Sequence, residues 1–180
     1  TNTLENKMKK LLIVVSLILT SNVSFANNPT HGVFINGKEI DMEDTYKSLV
    51  KKLGKDSYMN WEVAGLDIHA STNEYGLSSL SVTSLKPTKH RVEVYKSKFT
   101  FNESLRSAAN KLKPGCFDII RGKGGATYSF ISNTGAEGEI SVVVSSTING
   151  NPTVQQLLNA RVDSVAFSYD ALEPNGTCIE

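Results

Sequence analysis

The sequence predicts an α+β protein made of two tandem units, each a helix packed on an antiparallel sheet, and two observations carry that reading. Val33, Ile35 and Ile40 precede a helical stripe of Met42, Tyr46, Leu49, Val50 and Leu53. At an offset of 59 residues, Val92, Val94 and Phe99 precede Phe101, Leu105, Ala108, Ala109 and Leu112. In both stripes the spacing i, i+4, i+7, i+8, i+11 is one face of a helix, and recurrence of the whole template points to a duplicated unit. After each stripe come alternating apolar and polar runs broken by turn residues, so each unit reads as a helix followed by antiparallel strands.

The elements follow in order. Asn27 to His31 is a short polar leader, and Val33 to Ile40 is a hairpin because Asn36-Gly37 supplies the positive-φ pair of a type I′ turn. Asp41 is placed to cap the first helix and Gly54 to end it. Strands are expected at Tyr58 to Val63, Leu66 to Ala70 and Leu77 to Leu85, with Asp67 and His69 on the face opposite Leu66, Ile68 and Ala70. Lys86 to Arg91, containing Pro87, connects the copies. In the second copy Thr100 and Glu103 form a capping box, Pro114-Gly115 stops the helix, and strands follow at Cys116 to Arg121, Thr127 to Ser132 and Glu139 to Ser145. Turns at Gly122 to Gly125 and Asn133 to Gly138 join them. A short helix from Asn151-Pro152 through Ala160 and a strand from Val162 to Tyr169, with Val165, Phe167 and Tyr169 on one side, complete the chain.

Met8, Lys9 and Lys10, the apolar run Leu11 to Leu19, and Ser24-Phe25-Ala26 have the layout of a secretory signal peptide over residues 8–26, with cleavage after Ala26. The run is too short for a stable anchor across roughly 30 Å of hydrocarbon. Residues 1–7 read as an upstream extension, 27–86 as the first unit and 87–180 as the second, so the expected location is the periplasm or outside the cell. Without Lys7, Lys9, Lys10 and Glu5, the 19 basic and 18 acidic residues fall to 16 and 17. A near-neutral balance without clustered Lys/Arg argues against nucleic acid and against a polybasic membrane patch. Cys116 and Cys178 are the only cysteines and are expected to pair, tying down the C-terminal tail. Closing that 62-residue loop contributes roughly 4 kcal/mol in the chain-entropy account.

Groups able to do chemistry are scattered. His31 lies in the leader, His69 on a strand and His90 in the connection, and no Gly-x-Ser-x-Gly elbow occurs. Asp67 and His69 read as a solvated pair that lacks the third ligand a metal needs. Gly122-Lys123-Gly124-Gly125 separates two strands, whereas a phosphate loop opens a helix. Glu137 and Glu139 at a turn, and Asp41, Glu43 and Asp44 at a helix start, read as solvated or capping acids. No catalytic residue, cofactor or metal site is therefore expected. Trp61 is assigned to the core; Tyr75, at a turn tip, offers a stiff aromatic anchor. Asn73, Glu74, Tyr75, Arg121 and Lys123 are the candidate partner contacts.

Leu53-Gly54-Lys55 ending a helix, the opening hairpin Phe34 to Ile40, and Trp61-x-x-x-Gly65-Leu66 resemble small helix-plus-sheet modules of exported bacterial proteins. The pattern is similar to the β-lactamase-inhibitor-protein-like fold, itself a tandem pair, and to outer-membrane assembly lipoproteins of the SmpA/OmlA type, without their lipidated cysteine. The resemblance implies a binding protein. The expected function is a non-catalytic periplasmic module that binds another protein, as an inhibitor or immunity protein occluding an envelope enzyme or toxin; the alternative is an envelope assembly or scaffolding module.

Overall fold

Asn36 and Gly37, at φ of 50° and 77°, reverse the chain between β1 (Thr30–Ile35) and β2 (Lys38–Asp41), as a two-residue hairpin turn requires. The computed structural model describes residues 30–134, 140–170, 172–174 and 176–180. The expected extension 1–7 and expected signal peptide 8–26, together with Glu137 and Glu139, lie outside the described residues. His31, expected in a leader, is a buried residue of β1.

A second hairpin, β6 (Arg91–Tyr95) and β7 (Ser97–Thr100), stands beside the first. The two meet strand against strand in a sheet of order β2-β1-β6-β7. Val33 lies opposite Val92 in this antiparallel pairing, so corresponding positions of the repeated template face each other. Both side chains are fully buried.

Helix α1 (Tyr46–Leu53) and helix α2 (Leu105–Leu112) are again 59 residues apart. Thr45, not Asp41, caps α1. Ser48 N donates to Thr45 Oγ1 at 3.2 Å and Thr45 N to Ser48 Oγ at 2.9 Å, while Asp41 is still in β2, opposite Gly32. Ser104 caps α2; Thr100 and Glu103 do bond to each other, but upstream of the helix. Burial also differs between the copies. Leu105, Ala108, Ala109 and Leu112 of α2 are buried, whereas α1 buries Leu49 alone. Tyr46, expected on the apolar stripe of α1, is 46% exposed and donates its hydroxyl to Asp56 at 2.8 Å.

The remaining strands are β3 (Asn60–Val63), β4 (Leu66–Asn73), β5 (Gly76–Ser84), β8 (Gly115–Gly122), β9 (Gly125–Thr134), β10 (Ile140–Asn149), β11 (Ser164–Ser168) and β12 (Cys178–Ile179). They form one antiparallel sheet of order β12-β8-β9-β10-β11-β5-β4-β3. Strand β11 is the join: Phe167 pairs with Val142 on one side and Leu80 on the other. Alternate residues along these strands, including Ile68, Val82, Val165, Val144 and Phe130, point into a core that also takes Val33, Val92 and Phe99 from the smaller sheet. Trp61 is 3% exposed and donates Nε1–H to the Gly54 carbonyl at 3.0 Å, so it is a core residue with its one polar group satisfied. Helix α3 (Val154–Asn159) starts from a Thr153/Gln156 capping box and packs on α2, β9 and β10. The residues assigned to two units thus share both sheets and one core. Tyr169 lies just past β11 and is 48% exposed, unlike Val165 and Phe167.

Cys116 and Cys178 form a disulfide between directly opposed residues of β8 and β12, which anchors the tail as expected. Thr177 accepts from Phe117 N at 2.8 Å, and a side chain at Gly176 would collide with the Phe117 carbonyl, so only glycine lets the tail approach. Among the described residues no helix is long and apolar enough to cross a membrane. A disulfide-bonded fold of this kind is compatible with an exported protein.

Replacing both Cys116 and Cys178 by Ser is expected to lower the unfolding free energy by roughly 2–5 kcal/mol in urea titration. Thr45→Ala is expected to cost about 1 kcal/mol through loss of the α1 cap, read from the same titration.

Candidate functional site

Where β4 turns into β5, Asn73 Oδ1 accepts from Tyr75 N at 2.9 Å, folding the tip back on itself. Gly76, at φ of 137°, completes a reversal that a side-chain-bearing residue would strain. The result is a projecting ring: Tyr75 is 89% exposed. Tyr169 comes to the same end because β11 lies beside β5; its amide donates to the Ser78 carbonyl at 3.2 Å and its hydroxyl to the Met42 carbonyl at 3.4 Å. Met42 through Thr45, the link from β2 to α1, forms the facing wall. Together Met42, Glu43, Asp44, Thr45, Asn73, Tyr75, Gly76, Leu77 and Tyr169 line a cleft of about 450 Å³.

The acidic wall is fixed from within. Asp44 is buried and accepts from Ser48 Oγ and from Lys52 Nζ, the latter at 2.7 Å, which locks the entry to α1. Asp41 N donates to Asp44 Oδ2 at 3.1 Å, and Glu43 N to Asp41 Oδ1 at 3.0 Å. Burial, together with the charge of Asp44, holds the Asp41 carboxyl above its ordinary pKa of 3.8. Glu43 itself is exposed. The cleft therefore offers two phenol rings and a carboxylate at its mouth over an apolar floor of Met42 and Leu77. Such a lining suits a cationic or aromatic group.

Asn73, Glu74 and Tyr75 thus lie together, but Arg121 and Lys123 do not join them. Through the antiparallel order β4, β5, β11, β10, β9, β8, the β8–β9 turn falls at the other end of the sheet. The eight residue steps from Asn133 to Gly125 alone separate the two ends by roughly 25 Å. Arg121 is also committed, donating Nη1–H to the Pro152 carbonyl at 3.0 Å. Asp67 and His69 are exposed on the outer sheet face as expected, and His69 Nδ1 contacts Asn60 Oδ1 at 2.7 Å. Among the described residues no three His, Cys, Asp or Glu side chains gather into a metal-holding group.

Two features escaped the sequence reading. Tyr169 was read as a strand residue, and only the β11–β5 pairing places it beside Tyr75. The outer face of the large sheet's central strands carries small hydroxyls bonded across strands, Ser129 to Ser145 at 2.8 Å and Thr127 to Thr147 at 3.0 Å. The period-two Ser79, Ser81 and Thr83 was the available signal for it. No family model, curated protein or solved structure matches the chain.

The raised pKa of Asp41 means that its ionisation opposes folding: its favourable contribution is present below about pH 3.8 and is lost as the pH rises through the folded-state value. Asp41→Asn keeps the acceptor for the Glu43 amide. It is expected to melt higher than the parent near neutral pH and to lose that advantage toward pH 3.8.

Proposed function

We propose that this protein is a non-catalytic, exported binding module that occludes an envelope-acting enzyme or toxin, and that the Tyr75 end is its contact surface. The observation that carries the reading is the 89% exposed Tyr75 at the lip of a cleft whose opposite wall is a rigid acidic segment. An aromatic side chain with two torsions loses little entropy on capture and buries a large area, so one such anchor supplies a disproportionate share of binding energy. Its support is stiff: the tip is an Asx-type turn at the end of two long paired strands, and the wall is held by the buried Asp44 through its pair with Lys52. A preorganised tip gives up less freedom on docking than a floppy loop.

The test places a photo-crosslinking amino acid at position 75 and, as a control, at position 123, in cells challenged with envelope toxins. The reading expects one enzyme or toxin to be captured through position 75, and its activity to be blocked by the purified protein. Tyr75→Ala should weaken that block by roughly tenfold or more. The same variant should leave the unfolding free energy within about 0.5 kcal/mol, because the ring touches little of the fold. Capture through position 123 alone, or capture of a membrane assembly complex with no enzyme inhibited, would replace this reading, the latter with a scaffolding role.

A further inference from the structure

The far end of β4 carries a second cleft with the opposite character. His90 Nε2 lies 3.2 Å from the Ala64 carbonyl, in the two-residue turn that precedes β4. This pins the connection between the repeats against the large sheet. On its other side the β1–β2 turn closes in, and Phe34, Asn36, Gly37, Thr88, Lys89, His90 and Arg91 bound an open cleft of about 610 Å³. Phe34 and Arg91 are partners in the β1–β6 pairing, and the Arg91 guanidinium lies 4.0 Å above the Phe34 ring. Its Nε is held by Glu93 at 2.8 Å. One edge of a planar fork is therefore fixed by a carboxylate and one face by a ring.

Among the described residues, neither the η nitrogens of Arg91 nor the Lys89 ammonium has a hydrogen-bond partner. The Thr88 hydroxyl accepts from His90 N at 3.1 Å, which leaves its own proton to donate. We infer that this cleft is a binding site for a phosphate ester, held by Arg91, Lys89 and Thr88. A fork, a point charge and a hydroxyl supply donors in several directions. They match the terminal oxygens of a tetrahedral oxyanion better than the two coplanar oxygens of a carboxylate. The cleft is open to solvent, which leaves room for the esterified group. Glu93 also takes Lys98 at 3.1 Å, so Arg91, Lys98 and Glu93 together keep one net positive charge. The site is independent of the Tyr75 cleft, from which the length of β4 separates it.

The same oxyanion occurs on soluble phosphate esters and on lipid headgroups. Calorimetric titration of the disulfide-intact protein with inorganic phosphate and with glycerol phosphate reads the first source. Sedimentation with phosphatidylglycerol vesicles, against phosphatidylcholine vesicles, reads the second. Saturable binding in either arm is expected, weakened roughly tenfold by Lys89→Gln and by Arg91→Lys and unaltered by Lys123→Gln. Lys89 is exposed and Arg91→Lys keeps the charge beside Glu93, so both variants retain the fold. Binding in neither arm, equal binding to phosphatidylcholine vesicles, or parental affinity in both variants would overturn the assignment.

Discussion

The pairing of β1 with β6 is the constraint on which the rest of the structure depends. It sets Val33 against Val92 and joins two hairpins that the sequence carries 59 residues apart. An isolated two-stranded hairpin is marginal in water, whereas four strands with an apolar face have something to bury. That face is built from Val33, Ile35, Val92, Val94 and Phe99, and it is covered by the larger sheet, so neither hairpin is complete without the other. The same pairing also produces the stacked Arg91–Phe34 contact, an arrangement that neither repeat contains alone.

The large sheet repeats this logic with one addition. Strands β3 to β5 and β8 to β10 flank β11, which lies outside the template that the sequence carries at the 59-residue offset. Its insertion gives β5 and β10 a common neighbour, and Arg161, just before β11, donates to the Ser84 carbonyl at 3.2 Å at the end of β5. It also separates the turns: the Tyr75 tip rises at one end of the sheet and the Arg121–Lys123 turn at the other. This separation leaves an aromatic and acidic cleft at one end of β4 and a cationic cleft at its other end.

What was legible in the sequence was local. Asn36-Gly37, the two helices, the Gly122 to Gly125 turn and the cysteine pair each encode their conformation within a few residues or by elimination, and each appears in the structure, although α1 buries only Leu49 of its expected stripe and the turn expected from Asn133 to Gly138 falls largely outside the described residues. The helix caps were misplaced because Asp41 and Thr100 carry good capping side chains but lie in or at the end of strands. A cap is decided by where the strand stops, and that is set by pairing with β1 and β6. Tyr75 could be found because a turn tip is local. Tyr169, and the companionship of Phe34 with Arg91, could not, since each depends on strand pairings between distant segments. The hydroxyl face was hidden in a different way: a Ser/Thr alternation reads as polar filler until neighbouring strands align it.

The most direct test of this account follows the unfolding of the chain in urea with two probes. Trp61 is the only tryptophan, is buried, and belongs to the first repeat, whereas far-ultraviolet circular dichroism sums over both. If both repeats share one core, the two transitions superimpose with a single midpoint and slope. Loss of the Trp61 signal at a denaturant concentration distinct from the loss of dichroism would contradict the shared sheets from which both clefts are derived.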